Sequence, residues 1–358
     1  MEKKYNALES LMTQTDRNFY LDYLQNYLPE KIIDVHTHVW LEEHKCREKS
    51  APQRTVQWPD RVARVTSIEE LLQTYTLFFP GKTVTPVIFS NLLDRKDNFT
   101  GGNAYISACS EQNNCPCLLF SRPDWSGDDL EAQLIAGNFL GIKPYLSLAD
   151  SAIPQDDITI FDFLTEKHLS LLNKKRMIVM LHIPRSGRLR DPMNIKQLLC
   201  IDEKYPDASV IIAHVGRAYA IEDIGTGLRE ISKTKNLLFD ISANTNTDVF
   251  HRLIDAVGPQ RILFGSDLPI TRMRMRRIVE NGRYINIIPR GMYGDVSSDP
   301  NMRETSGTDA AALTFFLYEE IDAFRRASET AGLTKKDISD IFYENARHII
   351  EKAAGAQV

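Results

Sequence analysis

Eight short apolar runs recur along the chain, and the segments between most of them are helical in pattern. The runs are KIIDVHTHVW (31–40), TVTPVIFS (83–90), CPCLLFS (115–121), FLGIKPYLS (139–147), RMIVMLHIP (176–184), ASVIIAHVG (208–216), NLLFDISAN (236–244) and RILFGSDLPI (261–270). Nearly all are hydrophobic on both faces, as strands of a parallel sheet covered on each side must be. Between them lie helical stretches such as DDLEAQLIAGN and FDFLTEKHLSLLNKK. This alternation predicts βαβ units. A count of eight predicts a closed (β/α)₈ TIM barrel, with a doubly wound open sheet as the alternative. An amphipathic helix is expected before the first strand. Ser67 with Glu70 three residues later is expected to open the next helix as a capping box.

At 358 residues the chain fits one barrel domain, with a core of about 31–270 and a C-terminal helical extension, 271–358. The extension begins with a long arginine-rich stretch, TRMRMRRIVENGRYINIIPRGMYGDVSSDPNMRETSG, and helices are expected near 309–328 and 335–354. A formal net charge of −5 gives no general basic field and argues against nucleic acid as the partner. No apolar run reaches the roughly 18 residues of a membrane span. The polar N-terminus lacks the apolar centre of a signal peptide, so the cytoplasm is the expected compartment. Five cysteines, an odd number, fit reduced thiols, and Cys115 with Cys117 reads as the start of a buried strand.

Four of the eight histidines fall where chemistry is expected. His36 and His38 are two residues apart on the first strand, so both point to one face, as should Asp34. His182 and His214 lie near the ends of strands five and six, and Asp267 ends strand eight. Barrel strand ends converge on one mouth, where active sites form. A lone histidine at such a place is usually a hydrogen-bonded structural residue. A set of four with an aspartate is harder to explain, because each would need a buried partner. One divalent metal ion, zinc above all, would satisfy them together. His44, His168, His251 and His348 read as packing or surface residues.

The motifs DVHTH, LHIPR, AHVGR and FGSDLP resemble the amidohydrolase superfamily. They look most like the branch of aminocarboxymuconate-semialdehyde decarboxylase and related lactone hydrolases. The closing FYENARHII, with Asn345, Ala346 and Arg347, is similar to that branch's last helix, so the resemblance spans residues 31–349. It implies a single metal held by His36, His38, His182 and Asp267, with His214 deprotonating a metal-activated water. Two-metal members of the superfamily carry a carbamylated lysine on strand four, where Lys143 stands here. Lys143 could equally contact an anionic substrate or form an ion pair.

The expected substrate is a small, anionic molecule. Arg185 or Arg217, in loops leaving strands five and six, would contact a carboxylate through a bidentate fork, unless they pair with Asp191, Glu222 or Asp223. The later arginines, Arg272, Arg274, Arg276 and Arg277, read as solvated. Trp40 would form an apolar wall, or simply pack at a strand end. The leading expectation is hydrolysis of a lactone or amide, with His214 as base and Asp267 shuttling the proton. The alternatives are non-oxidative decarboxylation of an unsaturated or aromatic acid, a non-catalytic binding barrel and, more distantly, sugar-acid isomerisation. A homo-oligomer is compatible with all of them.

Overall fold

The computed structural model describes residues 9–46 and 58–355. Residues 1–8, 47–57 (which include the end of the HKCREK loop) and 356–358 lie outside that range. A short helix α1 (Gln14–Phe19) precedes the first strand. Eight strands then follow in order: β1 (Lys31–His38), β2 (Thr83–Phe89), β3 (Leu119–Phe120), β4 (Gly141–Lys143), β5 (Ile178–Leu181), β6 (Ser209–Ile212), β7 (Leu238–Asp240) and β8 (Ile262–Leu263). Helices separate them: α2 (Ile68–Phe78), α3 (Phe99–Asn113), α4 (Gly127–Ala136), α5 (Glu166–Lys174), α6 (Pro192–Lys204), α7 (Gly227–Ile231) and α8 (Thr247–Val257).

The hydrogen bonds close the ring. β1 pairs with β2, and β3 through β8 form a continuous parallel sheet. The Ile88 and Leu118 N–H groups join β2 to β3, donating to Pro116 and Ile88 carbonyls at 3.0 Å. Beyond β8 the chain returns to β1: Val35 N–H donates to the Phe264 carbonyl at 3.0 Å, and Asp267 N–H to the His36 carbonyl at 2.9 Å. The expected single-domain TIM barrel is what forms.

Ile33, Val35, Val87, Phe89, Met180 and Ile211 fill the barrel interior, while a larger apolar layer lies between strands and helices. The last helix, α10 (Asn345–Gly355), follows α9 (Phe316–Thr330), and its Ala346, Ile349 and Ala353 join the interior cluster. The Asn345 side chain donates to the Pro259 and Ile262 carbonyls at 2.9 and 2.8 Å, at the start of β8. This closes the N-terminal end of the barrel and leaves the other end for the site.

Two local expectations change. Ser67 caps α2 by accepting from Glu70 N–H at 3.3 Å, but the Glu70 carboxylate turns to Arg272 instead of completing a capping box. The stretch after β8, expected within a helical extension, holds a three-stranded sheet of β9 (Arg276–Glu280), β10 (Arg283–Pro289) and β11 (Met302–Thr305). Its cause is Asn281-Gly282, which sit at φ of +52° and +70° and join β9 to β10 as an antiparallel hairpin. Asn-Gly is the pair that such two-residue turns favour.

Among the described residues, no helix is long and apolar enough to cross a membrane.

Candidate metal centre

The C-terminal ends of the strands bring the predicted donors into one cavity of about 120 Å³, lined by His36, His38, Lys143, His182, His214 and Asp267 among others. Asp267 Oδ1 lies 3.6 Å from His36 Nε2 and 3.4 Å from His38 Nε2. His36, His214 and Asp267 each offer a ligand atom within 4.8 Å of the others. The His182 ring centre is 5.2 Å from that of His214.

Asp34 does not share the face of His36. A bulge between Asp34 and Thr37 breaks the alternation of β1. The Asp34 carboxylate therefore reaches α2, accepting from the Tyr75 hydroxyl at 2.8 Å, and also holds Ser266 N–H at 2.9 Å. Burial pushes its pKa up to about 7 against those donors. It braces β1 against the β8 loop.

The tautomers can be read from the outer partners. His36 Nδ1 meets the Asp240 carboxylate at 2.8 Å, and His38 Nδ1 meets the Ser90 carbonyl at 3.1 Å. Both acceptors require a proton on Nδ1, which leaves each Nε2 as a lone pair facing Asp267. His214 Nδ1 is likewise held by the Ser242 carbonyl at 3.1 Å, freeing its Nε2. Burial lowers the pKa of His36, His38 and His182, so these rings are neutral. Asp267 lies in their midst, its Oδ1 facing the Nε2 atoms of His36 and His38.

Neutral lone pairs gathered around an ionised carboxylate repel one another unless a cation lies between them. His182 Nδ1 adds a buried nitrogen with no hydrogen-bond partner among the described residues. Donors deprotonated in this way, with outer partners fixing the rings of His36, His38 and His214, are what a divalent ion requires. The residues present therefore fit the metal.

Three residues at these strand ends, His214, Ala243 and Asp267, have φ near +56°, +51° and +58°. Such conformations cost an L-residue energy and persist only where the surroundings impose them. At Ala243 the buried Glu320 carboxyl does so, accepting its N–H at 2.7 Å.

Lys143 ends β4 at 1% exposure, its Nζ 3.4 Å from His36 Nε2 and over the rings of Phe89 and Tyr145. Burial lowers its pKa to about 8, although Asp240 and Asp267 pull the other way. Trp40 lines the cavity, its indole N–H fixed on the Arg64 carbonyl at 2.9 Å. Arg185 and Arg217 lie outside the lining. Arg185 pairs with Asp191 at 3.1 Å, and Arg217 donates to the Ile183 and Pro184 carbonyls at 3.2 and 2.9 Å, capping the loop after β5.

Of the arginines expected to be solvated, Arg272 and Arg274 are buried and Arg277 lines the cavity. Sequence reasoning also passed over Asp240, Trp58, Tyr145, Tyr219 and Tyr284. An aspartate ending the apolar run of β7 was a usable signal for Asp240, while the aromatic residues carried none.

The amidohydrolase family profile matches residues 122–350, more than half of the chain. The chain belongs to the amidohydrolase family. This amidohydrolase is accordingly a metal-dependent enzyme, and its donor cluster occupies the barrel mouth. No curated protein matches it in sequence. In fold it is similar to a zinc-bound amidohydrolase from Burkholderia multivorans, with a TM-score of 0.55 at 12% identity, over 89% of this chain and 98% of that one. It is similar to a dihydroxybenzoic acid decarboxylase from a Polaromonas species, solved with manganese and 2-nitroresorcinol (TM-score 0.52, 14% identity, 90% and 97% coverage). A 4-oxalomesaconate hydratase from Rhodopseudomonas palustris is similar too (0.50, 15%, 91% and 97%). At these identities the likeness concerns the fold alone.

Proposed function

We propose that this amidohydrolase hydrolyses a lactone or amide bond in a small, carboxylate-bearing substrate, using one zinc ion held by His36, His38, His182 and Asp267. The observation that carries the reading is the posture of His214. Its Nδ1 is tied to Ser242 and its backbone N–H to Asp240 at 2.8 Å, so Nε2 is presented to the cavity as a proton acceptor.

A bound divalent ion supplies a charge that makes a coordinated water acidic near pH 7 and polarises a carbonyl. The chain supplies the rest. His214 Nε2 takes the proton from the water and returns it to the leaving oxygen or nitrogen. The proton transfer is assigned to His214, and Asp267, beside the Nε2 atoms of His36 and His38, acts as a ligand. Lys143 faces the same space as a buried cation and stabilises negative charge developing beside His36. Trp40, Trp58 and Tyr145 exclude water from the walls.

A second reading, non-oxidative decarboxylation, is favoured by those same flat aromatic walls, which suit an unsaturated or aromatic acid. The test is a screen of lactones, N-acyl amino acids and enolic or aromatic acids with zinc-loaded enzyme in ¹⁸O-water. Incorporation of ¹⁸O into a new carboxylate supports hydrolysis. Release of CO₂ without incorporation overturns it in favour of the second reading.

A further inference from the structure

The arginine run after β8 contains one member whose charge is unanswered. Arg272 pairs with Glu70, Arg274 with Asp16 and Arg276 with Glu319. Among the described residues, no carboxylate pairs with Arg277. Its guanidinium sits over Tyr284 and Phe316 at 4.4 Å and Tyr219 at 5.1 Å. Nε donates to Asn286 Oδ1 at 2.9 Å and Nη1 to the Ala243 carbonyl at 2.6 Å, both neutral acceptors. Nη2 has no protein acceptor among the described residues. Arg277 is half-buried; aromatic faces offset part of the cost of desolvating a cation, but a charge withdrawn from water is normally matched by an opposite one. The acids around it are Asp60, exposed at the mouth, Asp267 in the donor cluster, and Glu320, which makes no ion pair with it: its carboxyl accepts the Ala243 N–H and burial raises its pKa well above the ordinary value.

The group is also rigidly placed. Asn286 faces Arg277 across the β9–β10 pairing, so the fork is set by sheet register. Ala243 follows Ser242, whose carbonyl orients His214. The fork and the base thus hang on adjacent residues of one strand end.

We infer that Arg277 is a specificity-determining residue that binds a second carboxylate of the substrate, so that the enzyme selects small dicarboxylic acids and their lactone or amide precursors. The uncompensated fork takes one carboxylate, and the donor cluster takes the reacting group at the other end of the cavity. The inference rests on reading the cavity as a metal-dependent active site.

The test is calorimetric titration of zinc-loaded enzyme with phthalate and glutarate, against the singly charged benzoate and butyrate. Wild type should bind the dicarboxylates more tightly. Arg277→Ala should weaken dicarboxylate binding by about 10- to 100-fold and leave monocarboxylate binding nearly unchanged. Asn286→Asp, nearly isosteric with the native residue, places a carboxylate against Nε and should lower dicarboxylate affinity in the same direction. It decides the matter if Arg277→Ala fails to fold. Wild-type dicarboxylate affinity in the folded variants, or no dicarboxylate preference in wild type, overturns the inference. The zinc content of Asp267→Ala reports separately on the metal site, so failure of that reading is distinguishable.

Discussion

Asp240 holds His36 through one carboxylate oxygen, Oδ2 to Nδ1 at 2.8 Å, while its other oxygen accepts the backbone N–H of His214, also at 2.8 Å. One side chain at the end of β7 therefore orients both a candidate ligand and the candidate base. Carboxylates behind a ligating imidazole fix its tautomer and raise its basicity.

Asp240→Asn should lower zinc affinity by about 10- to 100-fold, the usual effect of losing such an outer partner. Competition titration against a chelator measures this. An affinity equal to that of wild type would show that His36 is held without the carboxylate.

His214→Asn should keep its zinc and lose kcat by about 10²- to 10⁴-fold. Elemental analysis beside steady-state kinetics separates two roles. Loss of zinc, with activity restored by excess metal, would make His214 a ligand instead of a base, a role its distance from His36 and Asp267 also allows.

Asp16 docks the N-terminal helix onto the far end of the chain. Its oxygens accept from Arg274 at 2.9 and 2.6 Å and from Thr314 at 2.7 Å, and both acid and arginine are buried. Asp16→Asn leaves a buried guanidinium unpaired and should cost about 3–5 kcal/mol at neutral pH. Burial raises the Asp16 pKa, but the bonds from Arg274 and Thr13 outweigh it, so the folded value lies below the ordinary 3.8. A depressed carboxyl stabilises the fold above its unfolded pKa and loses that contribution as pH falls through the folded one. Urea titrations should therefore show the difference between wild type and variant narrowing below about pH 3.8. A difference independent of pH in that range would rule the ion pair out as its source.

Gly141 sits where β4 meets β5, and a Cβ there would lie 1.9 Å from the Ile178 carbonyl oxygen. Gly141→Ala must push the two strands apart, at a cost of about 1–3 kcal/mol. Lys143, two residues further along β4, would shift with the strand. Thermal melts should show a fall of several degrees, and an unchanged melting temperature would mean that the pair accommodates the methyl.

The barrel was legible because eight apolar runs and their helices repeat one physical unit, and the donors because they end those runs. His36 and His38 keep the period-two spacing that their shared face requires. Asp34 broke the expectation because a bulge is a feature of pairing and leaves no mark in hydrophobic alternation. Arg277 was read as solvated because an arginine-rich stretch resembles a polar surface. The signal that would have corrected this was present: Asn281-Gly282, between RRIV and RYINIIP, marks a hairpin, and strands place alternate residues inward. Arg185 and Arg217 could not be judged from spacing. Whether an arginine at a barrel mouth faces the cavity or caps a neighbouring loop depends on carbonyls that only the folded chain brings near.

The hairpin of β9 and β10 has a consequence for how such an enzyme diversifies. The reactive end of the cavity hangs on the barrel strands, whose geometry is constrained by ring closure. Arg277 hangs on the sheet that follows the eighth strand. On the inference above, side-chain exchanges within 276–305 are expected to redirect the enzyme to a differently charged molecule while the donor cluster stays in place.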